Sequence, residues 1–222
     1  MKNILLILLT AMAMNVAGQG HLVGVKGGVN FTNITSKYLK DTDYRIGATT
    51  GVTYEYRFKN CLSVGADLIY DQRGYLIEDL WFTDAYGNIL GNGEVKYHYD
   101  YISLPLKIGF NFGNKFFGLA NIGVIPSLLV NAKGIAPYFV LNLNIIEEKH
   151  KYDVSDGMRK FDLAGFVEIG AGYKFCDHYS VFASFAYQHS FRSFTDPDMW
   201  GSHKIYNNGM SFNIGVKYAL KI

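Results

Sequence analysis

The sequence predicts an all-β protein, an eight-stranded antiparallel up-and-down transmembrane β-barrel with short periplasmic turns and long extracellular loops. Three observations lead there. Eight stretches alternate apolar and polar side chains. The connections between them are alternately long and short. The apolar faces carry more bulk than the inside of so narrow a barrel can hold. Side chains along a strand point alternately to its two faces, so each alternating stretch is a ribbon with one apolar and one polar side. About 9–11 tilted residues of such a ribbon cross a bilayer.

The C-terminal stretch is the clearest. Met210, Phe212, Ile214, Val216, Tyr218, Leu220 and Ile222 oppose Ser211, Asn213, Gly215, Lys217, Ala219 and Lys221. The first strand, roughly His21 to Phe31, sets Val23, Val25, Val29 and Phe31 against Gly24, Lys26, Gly28 and Asn30. The second, Arg45 to Phe58, places Arg45, Glu55 and Arg57 opposite Ile46, Val52 and Tyr54. The third, Leu62 to about Tyr75, places Asp67, Asp71 and Arg73 opposite Val64, Leu68 and Tyr70. The fourth, Tyr97 to Phe112, has Ser103, Lys107 and Asn111 opposite Ile102, Leu104, Ile108 and Phe110. The fifth, Phe116 to about Val130, is apolar on both sides, and its pattern assigns neither face. The sixth, Phe161 to Phe175, carries Asp162, Glu168 and Lys174 on its polar side, and the seventh, Ser180 to Phe191, carries Ser180, Ser184, Gln188 and Ser190.

Three connections are short (Lys59–Cys61, Gly113–Lys115, Cys176–Tyr179) and four are long (Thr32–Tyr44, Leu76–Lys96, Asn131–Lys160, Arg192–Tyr206). Strict alternation of loop length is the arrangement of an outer-membrane barrel with an even strand number. Asp84–Asn88 reads as a hairpin tip, so strands three and four rise together beyond the bilayer. Tyr138 to Ile146 reads as a β-extension or cap above the membrane. A ninth crossing there would leave the C-terminus on the wrong side.

Volume decides which face points out. An eight-stranded barrel is only just filled by side chains. The polar faces, rich in Gly, Ser and Ala, fit a narrow interior, and the Phe- and Tyr-rich faces do not. The apolar band therefore faces lipid. The aromatic share, 16%, suits residues that sit with one end apolar and one end wet.

The chain opens with Lys2, the apolar run Ile4–Leu9 extended through Met14, and small residues at Ala17 and Gly18. This is the pattern of a secretory signal peptide over residues 1–18, leaving 19–222 as one barrel domain. Lys and Arg number 21 against 19 Asp and Glu, so neither nucleic acid nor an acidic surface is implied as a partner. Cys61 and Cys176 fall on different turns and are not expected to pair, because a disulfide needs Cα atoms within roughly 7 Å.

Four motifs in order resemble one family. Gly24-Val25-Lys26-Gly27-Gly28-Val29-Asn30-Phe31 resembles the opening strand of the porin-like, PorT-like outer-membrane β-barrel proteins abundant in Bacteroidetes. Leu68-Ile69-Tyr70-Asp71-Gln72-Arg73-Gly74 resembles their third strand. Tyr101-Ile102-Ser103-Leu104-Pro105-Leu106-Lys107 resembles their fourth. Lys160-Phe161-Asp162-Leu163, followed by Gly170 and Gly172, resembles their sixth. The resemblance implies location in the cell outer membrane, contact with its lipid, and use of the outer-membrane insertion machinery. Asn213, Gly215, Tyr218 and Leu220 match the polar, glycine and hydrophobic positions of the assembly signal that machinery reads, although the chain ends in Lys221-Ile222 rather than an aromatic.

The inward charges are Lys26, Arg45, Glu55, Arg57, Asp67, Asp71, Arg73, Lys107, Glu168, Lys174 and Lys217. They read either as a permeation path or proton relay, or as a structural network of paired charges filling the lumen. The second is preferred, since unpaired buried charge is costly. No catalytic, cofactor or metal constellation is evident. His98 and Asp100 share a face without a nucleophile, and the neighbours His189 and Ser190 point to opposite faces. The functional expectation is a largely filled barrel with a structural or surface-interaction role through its external loops, its external partner a surface protein or glycan. A small porin or carrier of polar solutes is the alternative. The loops carry Leu80, Trp81, Phe82, Phe139, Leu141, Ile145 and Trp200, which serve either as a mutual lid or as partner contacts.

Overall fold

The computed structural model describes residues 20–39, 41–58, 61–84, 86–139, 146–195 and 203–220. The leader read at 1–18 lies outside the described residues, as do Leu141, Ile145, Trp200, Lys221 and Ile222. Among the described residues ten strands form: β1 (Gly20–Ser36), β2 (Asp43–Arg57), β3 (Leu62–Thr83), β4 (Ile89–Ser103), β5 (Leu106–Gly113), β6 (Phe116–Phe139), β7 (Ile146–Asp153), β8 (Phe161–Lys174), β9 (Tyr179–Ser190) and β10 (Ile205–Leu220). A short 3-10 turn, Ser155–Gly157, precedes β8. β1 pairs with β2 on one side and with β10 on the other, and every pairing is antiparallel, so the sheet closes on itself. β4 and β5 are one strand interrupted at Leu104 and Pro105, and β7 pairs only with the upper part of β6. Eight strands therefore make the ring, as the alternation pattern requires.

The interruption does not slip the register. Ile69↔Ser103 and Ala66↔Leu106 lie on one frame, and Ser103↔Ser127 and Leu106↔Val124 on another. What is lost is donors. The amide of Asp67 donates to Pro105 O at 3.0 Å, and that of Leu104 to Pro126 O at 2.9 Å. Neither proline can return a bond, having no N–H. A residue's N–H and C=O point to the same neighbour in an antiparallel ladder. The two gaps therefore fall on different seams, β5 against β3 and β6 against β4. The two prolines stand at nearly one height on neighbouring strands, yet their gaps lie in different seams. A bulge lies higher: Asp100↔Asn131 follows Tyr101↔Leu129, which leaves Val130 as the extra residue of β6.

The outer surface is the expected apolar band. Val25, Ile46, Val52, Leu68, Ile108, Phe110, Ile122, Val167, Ile169, Ile214 and Val216 are all exposed. The fifth spanning strand, β6, turns Phe116, Ile122, Val124 and Leu128 outward and Phe117, Leu119, Ile125 and Ser127 inward. Its inner face is apolar because it packs small cores: Phe117 and Leu119 meet Phe182, and Ile125 meets Ala164 and Phe166.

β3 and β6, at 22 and 24 residues, are about twice the length a crossing needs. Their surplus stands above the band, paired with β4 and with β7. The tip of the β3–β4 arm falls at Asp84–Asn88, as the sequence suggests: the Asp84 carboxylate accepts from the Asn88 side chain at 2.8 Å and from the Asn88 and Tyr86 amides at 2.8 and 2.9 Å. Those bonds, the Asn88 side chain's first, hold the Asp84 carboxyl below its ordinary pKa. The second arm, expected within Tyr138 to Ile146, is built instead from the end of β6 and from β7, which starts at Ile146.

Cys61 and Cys176 are both free and exposed, on the β2–β3 and β8–β9 turns at the end opposite the arms. A thiol reagent too large to cross the outer membrane is expected to label neither in intact cells and both after the membrane is opened. A Tyr86→Cys variant, on the β3–β4 arm, is expected to react in intact cells. Labelling of Cys61 or Cys176 from outside would invert the orientation.

Candidate functional site: the lumen and its external mouth

The inner face stacks three charged layers along the barrel axis. In the layer nearest the short turns, Glu55 is clasped between Arg57, at 2.5 Å, and Lys217. Asn111 donates to Glu55 at 3.0 Å and to Ser63 at 2.9 Å, and Arg57 donates to Asn111 at 3.1 Å. Phe117 lies under the Arg57 guanidinium at 5.3 Å and Phe182 under the Lys217 ammonium at 4.7 Å.

In the middle layer Asp67 takes Lys26 at 2.6 Å and Lys107 at 2.8 Å. Glu168 accepts from Asn121 at 2.7 Å. The third layer is centred on Arg73, which is completely buried. Its Nε donates to Asp71 at 2.7 Å, its Nη1 to Asp162 at 3.1 Å, and its Nη2 to Ser103 and Ser127, both at 3.1 Å. The guanidinium also lies 4.7 Å from the Tyr101 ring centre. Asn30 donates to Asp71, and Ser190 to Asp162 at 2.7 Å. Six strands, β1, β3, β4, β6, β8 and β9, send polar groups to this one cluster.

Gly74 is what lets β3 make that layer. Its φ is +149°, and a Cβ there would sit 1.9 Å from Tyr97 O and 2.9 Å from the Arg45 side chain. The Thr32 hydroxyl fills the local demand, bonding both Gly74 N and Gly74 O at 2.9 Å. The Arg-Gly pair of the third-strand motif thus has a steric reason.

Of the charges expected inside, all are on the inner face, but not all form ion pairs. Arg45 donates to the Arg73 carbonyl rather than to a carboxylate. Lys174 is only half-buried, at the turn end, 6.0 Å from the Phe117 ring centre. Glu168 relies on Asn121, and among the described residues no cation lies within ion-pair distance of it. The sequence places Asp162 on the polar face of its strand but not among the inward charges; it is the second anchor of Arg73. His98 and Asp100 share a face, and Asp100 accepts from Asn131 at 2.8 Å. Ser190 points inward to Asp162, and His189 stacks outside on Tyr206. Among the described residues no group of His, Cys, Asp and Glu is placed to hold a metal.

Between the middle and upper layers a cavity of about 40 Å³ remains, bordered by Lys26, Asp71, Glu168 and Asn213. That is room for a few water molecules at most, not a passage. Above Arg73 the mouth is stoppered by an apolar cluster of Ile34, Tyr75, Tyr99, Tyr101, Ala132, Met158, Phe194 and Ile205. Tyr75 stacks on Tyr97 at 4.7 Å, and Phe194 packs on Tyr99 at 5.3 Å. Phe194 and Met158 come from two different loops, joined by the Met158↔Thr195 bridge and by the Arg159 amide donating to Phe194 O at 2.7 Å. Loop residues do close over the barrel, and Phe194 and Met158 among them are not singled out in the sequence; of those that are, Leu141, Ile145 and Trp200 lie outside the described residues. Leu80, Trp81 and Tyr86 on the β3–β4 arm stay exposed.

A closed antiparallel ring with an apolar exterior, a polar charged interior and long arms at one end defines a transmembrane β-barrel. The family model described as "Outer membrane protein beta-barrel domain" matches residues 17–196, and the chain belongs to that family. Its place is the cell outer membrane. Among solved structures it is similar to the outer membrane protein OprG from Pseudomonas aeruginosa, at 13% identity and a TM-score of 0.51, over 93% of this chain and 97% of that one. Neisserial surface protein A matches at 10% identity and a TM-score of 0.44, over 90% of this chain and 98% of that one. The Escherichia coli outer membrane protease OmpT matches at 9% identity and 0.46, over 94% of this chain and 99% of that one. Comparison with curated protein sequences finds no match.

Proposed function

We propose that this outer-membrane barrel has no catalytic role and is closed to solute flow, and that its work is done by the external surface. The observation that carries this reading is the double closure of the lumen. Three charged layers fill the bore, and the Phe194–Met158 stopper covers it, while the β3–β4 and β6–β7 arms extend beyond the apolar band. The role is structural or one of surface interaction, with a surface protein or glycan as external partner. The ordered motifs in β1, β3, β4–β5 and β8 support the narrower placement among the PorT-like proteins of Bacteroidetes. Asn213, Gly215, Tyr218 and Leu220 are assigned as the signal read by the insertion machinery, the first two facing the lumen and the last two facing lipid on β10.

Full-length protein in a planar bilayer is expected to show no large, stable conductance. Deleting Pro137 to Lys149 is expected to leave insertion intact and to alter binding at the cell surface. A steady open channel in the unmodified protein would establish the small-porin reading instead.

A further inference from the structure

Outside the stopper, at the external ends of β8 and β9, lies a cleft of about 430 Å³. Its volume falls in the range of small-molecule sites, about 300–1,000 Å³. Arg159, Lys160 and Arg192 line it together with Asp156, Met158 and Phe161. The floor is fixed. Met158 is buried in the stopper, the Arg159 amide is held by Phe194 O at 2.7 Å, and the Lys160 carbonyl accepts from Leu129 at 2.7 Å.

Two features point to an anion. First, deep in the lumen Lys26, Arg57, Arg73, Lys107 and Lys217 each have a carboxylate partner, and Arg45 is held by the Arg73 carbonyl. Among the described residues, no carboxylate lies within ion-pair distance of Arg159, Lys160 or Arg192, although Asp156 borders the same cleft. Second, the cleft sits at a particular depth. Phe161, Leu128 and Phe191, exposed at the upper edge of the apolar band, lie just below the three cations. Side chains one step above the hydrocarbon edge are level with lipid headgroups.

We infer that Arg159, Lys160 and Arg192 form a binding site for a phosphate-bearing headgroup of an outer-leaflet glycolipid. Guanidinium groups suit phosphate because their planar fork offers two parallel N–H donors. Phe161 and the neighbouring apolar band would meet the same lipid's acyl chains.

The test uses the folded full-length protein in neutral detergent micelles, with a diphosphorylated disaccharide glycolipid as probe and the same glycolipid stripped of phosphate as reference. Binding is expected only with the phosphorylated form. The triple variant R159Q/K160Q/R192Q is expected to weaken it about tenfold or more. A control triple variant, K133Q/K151Q/K204Q, removes the same charge from exposed external positions and is expected to leave binding unchanged. Equal losses in the two triple variants, or no loss in the first, would overturn the site. Inorganic phosphate that competes as well as the glycolipid at equal concentration would overturn the lipid assignment in favour of free phosphate.

Discussion

Arg73→Leu is expected to cost about 3–5 kcal/mol of stability, the effect of breaking a buried charge cluster by removing one partner. The side chain is wholly buried and bridges Asp71 and Asp162, which are almost as deeply buried. Its removal strands two carboxylates in the bore, and Ser103 and Ser127 lose the Arg73 donor and keep their mutual bond at 2.8 Å. Arg73→Lys keeps the charge but not the fork, and it is expected to recover only part of the loss. The triple variant R73L/D71N/D162N removes the stranded charge along with its partner. It is expected to be markedly more stable than R73L alone, because a buried ion cluster is favourable mainly relative to a broken one. Urea unfolding in lipid vesicles, followed by tryptophan fluorescence, measures all three. An R73L variant within about 0.5 kcal/mol of the parent, the usual range for a surface substitution, would remove Arg73 from the centre of the lumen network.

The Arg73 cluster also shows what kind of information the sequence holds. Parity along a strand assigns a face, so Lys26, Asp67, Arg73, Lys107 and Lys217 could be placed inside from alternation alone. Partners need the register between strands distant in sequence. Arg73 and Asp162 are 89 positions apart, and nothing local to Asp162 marks it as half of a pair. The same limit explains Arg45, Lys174 and Glu168. Each has the right parity, but height along the axis leaves each without the ion pair that parity suggested. β6 was illegible for a different reason. Its inner face carries Phe117, Leu119 and Ile125, which pack on Phe182 and Phe166, and from Phe116 to Val130 it bears no charge of its own, so both faces read as apolar. Phe194 and Met158 carry no periodic signal at all. They lie in loops, and only the closure of the ring brings those loops over one mouth. Alternation and loop lengths identify the barrel, while the contents of its stopper depend on tertiary contacts that no pattern records.

The lipid-facing assignment has its sharpest test at Ile122. Its ladder partners Ile108 and Val167 are exposed like itself, so it lies well inside the apolar band, away from either edge. Arginine on the lipid face of a barrel costs about 2–4 kcal/mol at the bilayer midplane and falls to about 0–1 kcal/mol near the interfaces. Ile122→Arg is therefore expected to lose an amount near the upper range. Phe116→Arg, on the same strand and the same face but beside the two-residue turn that follows β5, is expected to lose about 1 kcal/mol or less. Loss of stability at Ile122 alone would not be enough, because an arginine buried in any apolar core is costly. The gradient is the discriminating quantity. In a bilayer the penalty follows depth and shrinks as the guanidinium comes within reach of the headgroups, where a long side chain can extend to water. Substitution with Ser at the same two positions removes apolar area without adding charge, and its cost should vary far less with depth. Equal arginine penalties at Ile122 and Phe116, measured by reversible unfolding in vesicles, would mean that the apolar face is not in contact with lipid.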